Sequence, residues 1–586
     1  MRNQRQKIAL LIVVLSFFLL QTITSAEFLS VPLTDPIYQV LESAQIRGLI
    51  DRLPSSKPYS NHTVENSLRD LLRKKDNLST IEIQIVENYL EDHNIETKKE
   101  QNIFQSGAIY TDSKNLSTEM GAWISSNNGF SFNSDEYNFG TEDFLNLYLR
   151  GNMGNNLEEE LPILSYGFDM GFGAVSIAGQ EYSGAKLITL DQTAFAPYTF
   201  TAEWEGYSYS LLDPFNNVTG DEGLYISFTM DPEIPTSLFD DHLNISFSRI
   251  QRNWGLGEDS LLLSGQAPPF VSLNIQAKIF PWMDYSFLVG ELENYGDASA
   301  SSTLQNMVTI KNIDLRPTDW LYLGVHEAVV WPKRMELGYM NPLVFSSLYQ
   351  GQIGDYDNII GGLSAGLSVP RYIDFYGTFM IDEFSPTSFA DMFERVRNLF
   401  SFQAGAKVQI PGTNFGTLTL QYSKIEPYTY THPATDVPWI DSSAIDYKVY
   451  QSFVSNGYGI CSKLDPNSDE LLVKIDTYIT PDITLTGSYQ MLRHGEFGGD
   501  YNDPLDDYSD VESLEKDFLH DGNYDWYHMF TIGTGVDCAP IFLLPIKIYI
   551  SDTLVNFFQT DIEVQLIDGT EQITNYVTVK VQVWGE

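Results

Sequence analysis

Asp382 and Glu383 stand side by side in the chain, and paired carboxylates are the usual equipment for breaking a glycosidic bond. A glycosidase needs the two to flank one bond, whereas neighbours on a strand point to opposite faces. If Asp382 continues the polar face of Asp374 and Thr378, it points into an enclosed interior, where an ion pair with Arg334 is its expected role. Gly362-Leu-Ser-Ala-Gly366 has the letters of a nucleophile elbow with Ser364 at the centre. That elbow is a strand-to-helix turn, and no helical pattern follows Gly366. The eight histidines form no His-Glu-x-x-His or comparable ligand spacing, so neither a metal nor another cofactor is expected. No residue is assigned a catalytic role, and the chain is not expected to be an enzyme.

Binding chemistry is easier to place. In Arg252-Asn-Trp-Gly-Leu-Gly-Glu-Asp-Ser260, Gly255 and Gly257 permit positive φ and the close approach of another chain or a ligand. Arg252 and Trp254 precede them and Ser260 follows. The Lys-Ser/Thr of a phosphate loop is missing. Two readings stay open: a tight bend in a β-protein, with Gly255 and Gly257 as structural turn residues, or a binding loop. Trp254, Tyr428 and Tyr430 have ring faces suited to stacking on sugars, with Arg252 or Arg334 for an acidic sugar. The same side chains suit packing inside a barrel or in its interface girdle. The acidic run at 498–510 holds carboxylates without the ligand spacing of a calcium loop, which makes it a solvated loop.

The elements that must carry these residues follow from charge and periodicity. Residues 1–26 have a basic start, an apolar run from Ile8 to Leu20 and a small-residue end at Ala26, the three parts of a cleaved export signal. A net charge of −44 repels nucleic acid, and a neutral glycan, a cation-bridged partner and an acidic polymer held at a local basic patch all stay open as partners. The two cysteines, Cys461 and Cys538, are too few for a disulfide framework, and a bridge between them is left open. Residues 27–100 read as a small bundle of three amphipathic helices, with Asp35-Pro36, Ser60 and the Ser79/Glu82 capping box as starts. From there to residue 586 the period changes to two. Phe400, Phe402, Ala404, Ala406 and Val408 alternate with Ser401, Gln403, Gly405, Lys407 and Gln409, and similar runs recur around Leu471 and Val577. A soluble sandwich or propeller would bury that apolar face, whereas a membrane barrel would turn it to lipid. Strands near the length a tilted span needs, short turns alternating with long acidic loops, and aromatics at strand ends favour the barrel.

Several blocks then resemble the Wzi-type capsule assembly family. They are Val31-Pro-Leu-Thr-Asp-Pro-Ile-Tyr38 with Ile46-Arg-Gly-Leu-Ile-Asp51, and the stretch 252–270 with its Ser-Leu-Leu-Leu-Ser264. The others are Met335-Glu-Leu-Gly-Tyr-Met-Asn-Pro-Leu-Val-Phe345, which contains Asn341, and Tyr422-Ser-Lys-Ile-Glu-Pro-Tyr-Thr-Tyr430. The resemblance implies a mainly β chain, a transmembrane outer-membrane barrel of about eighteen antiparallel strands with a periplasmic helical bundle. It also implies a lectin-like, non-enzymatic protein that binds or organises capsular or surface polysaccharide. Arg252, Trp254, Ser260, Arg334, Asn341, Asp382, Tyr428 and Tyr430 are the polysaccharide or lumen candidates. The expected partners are polysaccharide and outer-membrane lipid, with a monomeric chain. A pore for small solutes and a secreted β-rich carbohydrate-active enzyme are the alternatives.

Overall fold

In the computed structural model the described residues are 26–93, 106–113, 116–134, 137–154, 162–177, 224–239, 242–292, 306–332, 334–353, 357–369, 372–384, 388, 391–432, 451–455, 458–501, 505, 508–516, 522–539 and 545–584. The expected export signal lies outside them, save for Ala26.

The capping signals act as the sequence predicts. Helix α1 (Ile37–Ile46) begins where Asp35 Oδ1 accepts the Ile37 N–H at 2.8 Å. Helix α2 (Asn61–Arg73) is capped by Ser60. Helix α3 (Thr80–Asp92) opens on a complete capping box, Ser79 Oγ accepting from Glu82 N–H and Glu82 Oε2 accepting from Ser79 N–H. Each satisfies a backbone donor that a helix start leaves without an intrahelical partner. The apolar stripes bury Val40, Leu41, Leu68, Leu71 and Val86 in one core, which also takes in Phe415 and Tyr478 from the barrel rim.

The barrel strands are β1 (Leu116–Phe132), β2 (Tyr137–Met153), β3 (Leu164–Ile177), β4 (Leu224–Leu238), β5 (Leu243–Ile250) and β6 (Phe270–Phe280). Then come β7 (Met283–Glu291), β8 (Asn306–Thr318), β9 (Leu321–Pro332), β10 (Asn358–Val369), β11 (Ile373–Ile381) and β12 (Phe400–Gln409). The last six are β13 (Asn414–Ile425), β14 (Ser468–Thr480), β15 (Ile483–Gly495), β16 (Tyr524–Asp537), β17 (Ile546–Thr560) and β18 (Gln572–Val583). Each pairs antiparallel with its neighbours, and β18 closes on β1 through Val577↔Phe130 and Val583↔Ile124. The result is a closed barrel of 18 strands. Closure removes the unpaired edges that hydrocarbon would not tolerate.

One end has short turns, such as 410–413 and 481–482, and the helices dock there; the other carries the long connections. By the usual arrangement of such barrels, the short-turn end is periplasmic. Phe280, Trp282, Trp320 and Tyr372 stand exposed at that end as the inner aromatic girdle. Leu323, Leu363, Phe375, Leu420, Leu471 and Ile475 are exposed along the outer wall. Ser401, Gln403 and Lys407 of β12 face inward and are buried. The polar face of the alternation is thus covered by chain inside the barrel.

The docking of the bundle turns on Glu82. Its Oε1 accepts from Arg47 Nη1 at 2.6 Å and from the N–H of Phe415 at the start of β13 at 3.1 Å. Removing this buried carboxylate strands the Phe415 N–H and leaves Arg47 only its hydrogen bond to Asn77 O, a loss on the order of 3 kcal/mol. Glu82→Ala is expected to speed protease cleavage at Arg47 and Arg73 while the barrel keeps its heat-modifiable migration on gels.

Candidate functional site

Residues 251–269 leave the wall at Ile250, dip into the lumen and rejoin it at Phe270. Asn253–Trp254 forms a two-residue antiparallel pair with Ser56–Lys57, which rises into the barrel from the helical end. The Gly255 N–H donates to Ser55 O at 3.2 Å, and the Trp254 N–H to Leu263 O at 2.9 Å. Trp254 is 0% exposed and packs with Leu261, Leu262 and Leu263 against inward wall residues that include Leu288, Ile310, Val330 and Ile360. Gly255 (φ +128°) and Gly257 (φ +96°) make the bend. A Cβ on Gly255 would run into Ser260 Oγ, and one on Gly257 into the amide oxygens of Gln403 and Gln421. Both backbone angle and space therefore demand glycine. They set the seat of the loop inside the barrel, beyond the general bend that spacing alone indicates.

Side chains fasten the loop. Glu258 pairs with Lys407 at 2.8 Å and Lys474 at 2.9 Å, and Lys407 also pairs with Glu42 of α1. Asp259 accepts from Ser264 Oγ at 2.5 Å and from the Lys463 N–H at 2.9 Å. Burial, partly opposed by Lys463, raises the Asp259 carboxyl to about 6. Ser260 Oγ donates to Trp254 O and accepts from the Leu262 N–H at 3.0 Å, which makes it a turn residue. Between the loop glycines, Glu42, Asp374 and Lys407 there remains a cavity of about 100 Å³. A larger one, about 670 Å³, lies between the helices and the wall and is lined by Arg52, Tyr59, Glu233, Arg252, Trp254 and Asn274, among others.

The other sequence candidates separate into distinct places. Arg252 is buried, donates to Ser248 Oγ at 2.7 Å and Ile250 O at 3.1 Å, and burial lowers its pKa to about 10 against the pull of Glu233. Tyr430 is 0% exposed, with its hydroxyl donating to Leu261 O at 3.0 Å. Neither Trp254 nor Tyr430 presents a ring face to a sugar in this structure. Asp382 does not pair with Arg334; its Oδ2 accepts the Tyr430 N–H at 2.5 Å. Burial, reinforced by Glu383, holds that carboxyl well above the usual range. Arg334 instead forks onto Asp357 at 3.1 and 2.6 Å and meets Glu336 at 3.1 Å. Asn341 is exposed, and its Oδ1 accepts the Leu343 N–H. Both belong to a segment on the outer wall, away from the lumen. The reason is that β7–β9 carry Leu288, Ile310 and Val330 inward and Lys311 and Glu327 outward, inverting the polarity from which a lumen position was expected. Cys461 and Cys538 are both buried and unbridged.

Tyr428 alone of the aromatic candidates stays half-exposed, edge-on to Phe497 at 5.4 Å. It sits in a crown where the long connections pack together through Val396, Leu505 and Val511. There the Val396 N–H donates to Leu514 O and the Lys516 N–H to Glu394 O. Arg395 and Arg397 alternate with buried Val396 and lie half-exposed, Arg397 pairing with Glu512 at 3.1 Å. Phe393 is exposed two residues before Arg395. These three residues were missed from sequence.

Ser364 also acquires an unforeseen neighbour. His326 Nε2 lies 2.7 Å from Ser364 Oγ, and its Nδ1 lies 2.8 Å from Asn312 Oδ1. The geometry has the outline of nucleophile, base and orienter. All three are buried, however, and the Asn312 amide donates to Ser55 Oγ at 2.9 Å and Ser56 Oγ at 2.8 Å. The chain of hydrogen bonds fastens the N-terminal segment to the wall. A substrate carbonyl has no approach to it among the described residues.

No protein-family model and no curated protein matches the chain. Among solved structures it is similar to Wzi of Escherichia coli, described as an outer-membrane protein involved in group 1 capsule assembly and a carbohydrate-binding β-barrel. Identity is 11%, the match covers 94% of this chain and 99% of that one, and the TM-score is 0.51. OprD of Pseudomonas aeruginosa matches at 10% identity over 82% of this chain and 97% of its own, with a TM-score of 0.40. OccK2 of the same organism, solved with glucuronate, matches at 8% identity over 79% and 98%, with a TM-score of 0.41. The Wzi match shows a shared fold, that of an outer-membrane barrel.

Two expectations follow from the seated loop. Gly257→Val cannot keep the backbone angle or the space beside Gln403 and Gln421, so Glu258 should leave Lys407 and Lys474. Proteoliposomes carrying this variant are expected to swell in small sugars at least several-fold faster than those with the native protein, with heat-modifiability retained. The second concerns pH. A carboxyl raised from 3.8 to about 6 in the folded protein contributes stability that is complete below about 4 and is lost as pH rises through 6. The effect is on the order of 3 kcal/mol. Amide exchange in 255–264, corrected for its intrinsic pH dependence, should therefore be slower at pH 4.5 than at pH 7.5, and Asp259→Asn should flatten the difference.

Proposed function

We propose that this protein is exported with loss of residues 1–26 and stands in the outer membrane as a monomeric, non-enzymatic barrel. In this reading it holds or organises surface polysaccharide on its long-loop face. The observation that carries this is the occupied lumen: the pairing of Asn253–Trp254 with Ser56–Lys57 inside the wall, locked by Glu258 on Lys407 and Lys474. A barrel filled at mid-height is poorly suited to passing solutes and leaves its crown as the surface a polymer can reach. The crown supplies the chemistry sugars need, half-exposed Tyr428 and exposed Phe393 for ring faces beside Arg395 and Arg397 for hydroxyls and carboxylates. The fold shared with Wzi, a carbohydrate-binding barrel of capsule assembly, supports the same reading.

Refolded protein should retain polysaccharide stripped from the surface of its own cells in a pull-down. Arg395→Ala with Arg397→Ala should weaken retention roughly tenfold or more, as two lost charge-assisted hydrogen bonds imply. Tyr428→Ala should also weaken it. Equal retention by both variants and the native protein would move the site off the crown, and no retention by the native protein would end the reading.

A further inference from the structure

The wall presents an ion pair to the membrane side. Lys311 of β8 and Glu327 of β9 are directly paired in register and share the outward face with Leu323 and Val329. Leu321 opens β9 at the inner rim, six residues below Glu327. A strand rising ~3.3 Å per residue at a tilt of about 40° puts Glu327 roughly 15 Å above that rim, within an apolar band about 25 Å tall. Charges at such a depth are not left facing lipid. Here residues 334–353 run along the outside of the barrel and cover them.

The cover is built to match. Thr309 Oγ1 donates to Tyr339 O at 3.1 Å, Tyr285 OH to Pro342 O, and Lys311 Nζ to Val344 O at 2.6 Å and Ser346 Oγ at 2.8 Å. The segment then climbs as helix α4 (Ser346–Ile353). Glu327 receives the first backbone donors of that helix, Ser346 N–H at 2.7 Å and Ser347 N–H at 3.0 Å. The wall thus supplies the helix with its N-terminal acceptor, while Lys311 balances the charge. Tyr339 packs on Trp331, Phe287 and Val289 of the same outer face. All the polar groups of this contact point toward the barrel.

Over 335–348 the opposite side of the segment is bare and mostly apolar, with Asn341 and Ser347 as its exposed polar residues. Leu343 is 88% exposed, and Met335, Leu337, Phe345 and Leu348 are exposed with it, continuous with the outer-wall band that includes Leu323 and Leu363. Leu343 and Phe345 lie beside the contacts to Tyr285 and Lys311, at the depth of the ion pair. We propose that residues 335–348 form a strap embedded in the membrane, with Met335, Leu337, Leu343, Phe345 and Leu348 seated among the acyl chains of outer-membrane lipid. The strap converts a polar stretch of wall into a lipid-facing surface. This holds whatever the crown binds, because it depends on the barrel alone.

Nitroxide labels at Leu343→Cys and Leu348→Cys test it in protein refolded into vesicles, the native cysteines being buried. Leu363→Cys gives the bare-wall reference and Glu512→Cys the aqueous one. The strap labels should collide readily with oxygen and several-fold less with a water-soluble nickel chelate, matching Leu363→Cys. Collision with the chelate equal to that at Glu512→Cys would place the strap in water and overturn the proposal. Protection from both reagents would mean a protein partner covers it, and would overturn it equally.

Discussion

Everything inside this barrel depends on two short edges of backbone finding each other. Ser56–Lys57 arrives from the helical end and Asn253–Trp254 from the wall, and Ser56, Asn253 and Trp254 are all buried inside the barrel. Unpaired, their amides and carbonyls would be buried without partners, a cost of several kcal/mol. Paired, they fix the height at which Trp254 and Leu261 to Leu263 meet the wall. The carboxylates follow from that height. Glu258 reaches Lys407 and Lys474, and Ser55 offers its N–H and hydroxyl to Asp314 at 2.7 and 2.8 Å.

The wall divides accordingly. Over most of the circumference apolar residues face out and polar residues face in, as at Phe402, Ala404, Gln403 and Lys407 of β12. Gln403 donates to Asp259 O and Lys407 pairs with Glu258 of the inserted loop, so their alternation encodes the seat of a plug. Where β7 to β9 meet the apolar part of the plug the assignment is reversed locally. Leu288, Ile310 and Val330 face in and meet the apolar part of the plug, and Lys311 with Glu327 faces out beneath the strap. Both departures answer to one rule, that a buried group takes its character from what is pressed against it.

That rule explains what could be read from the sequence. The helix starts at Ser60 and Ser79, the alternating run of β12 and the Gly255–Gly257 bend were legible because each is local: a cap, a period or a φ angle written in adjacent residues. The barrel was legible because the same period recurs. The destinations of Trp254, Tyr430, Arg334 and Asn341 were not. Trp254 and Tyr430 are aromatic for the sake of an interior formed by segments some two hundred residues apart, and a two-residue strand such as Ser56–Lys57 has no period to detect. Arg334 was taken toward Asp382 on the premise that charge means lumen, whereas its partner is Asp357 in the same connection. The crown arginines escaped notice because their strand-like pairing with 514–516 is set by loop docking rather than by a hydrophobic period.

The central claim is that the native barrel is shut and works from its outer face. Planar-bilayer recording of the native protein at neutral pH tests this most directly. The account predicts a baseline without steady ohmic steps after the folded protein inserts. A stable, reproducible single-channel conductance from correctly folded native protein would contradict it and make the lumen a pathway.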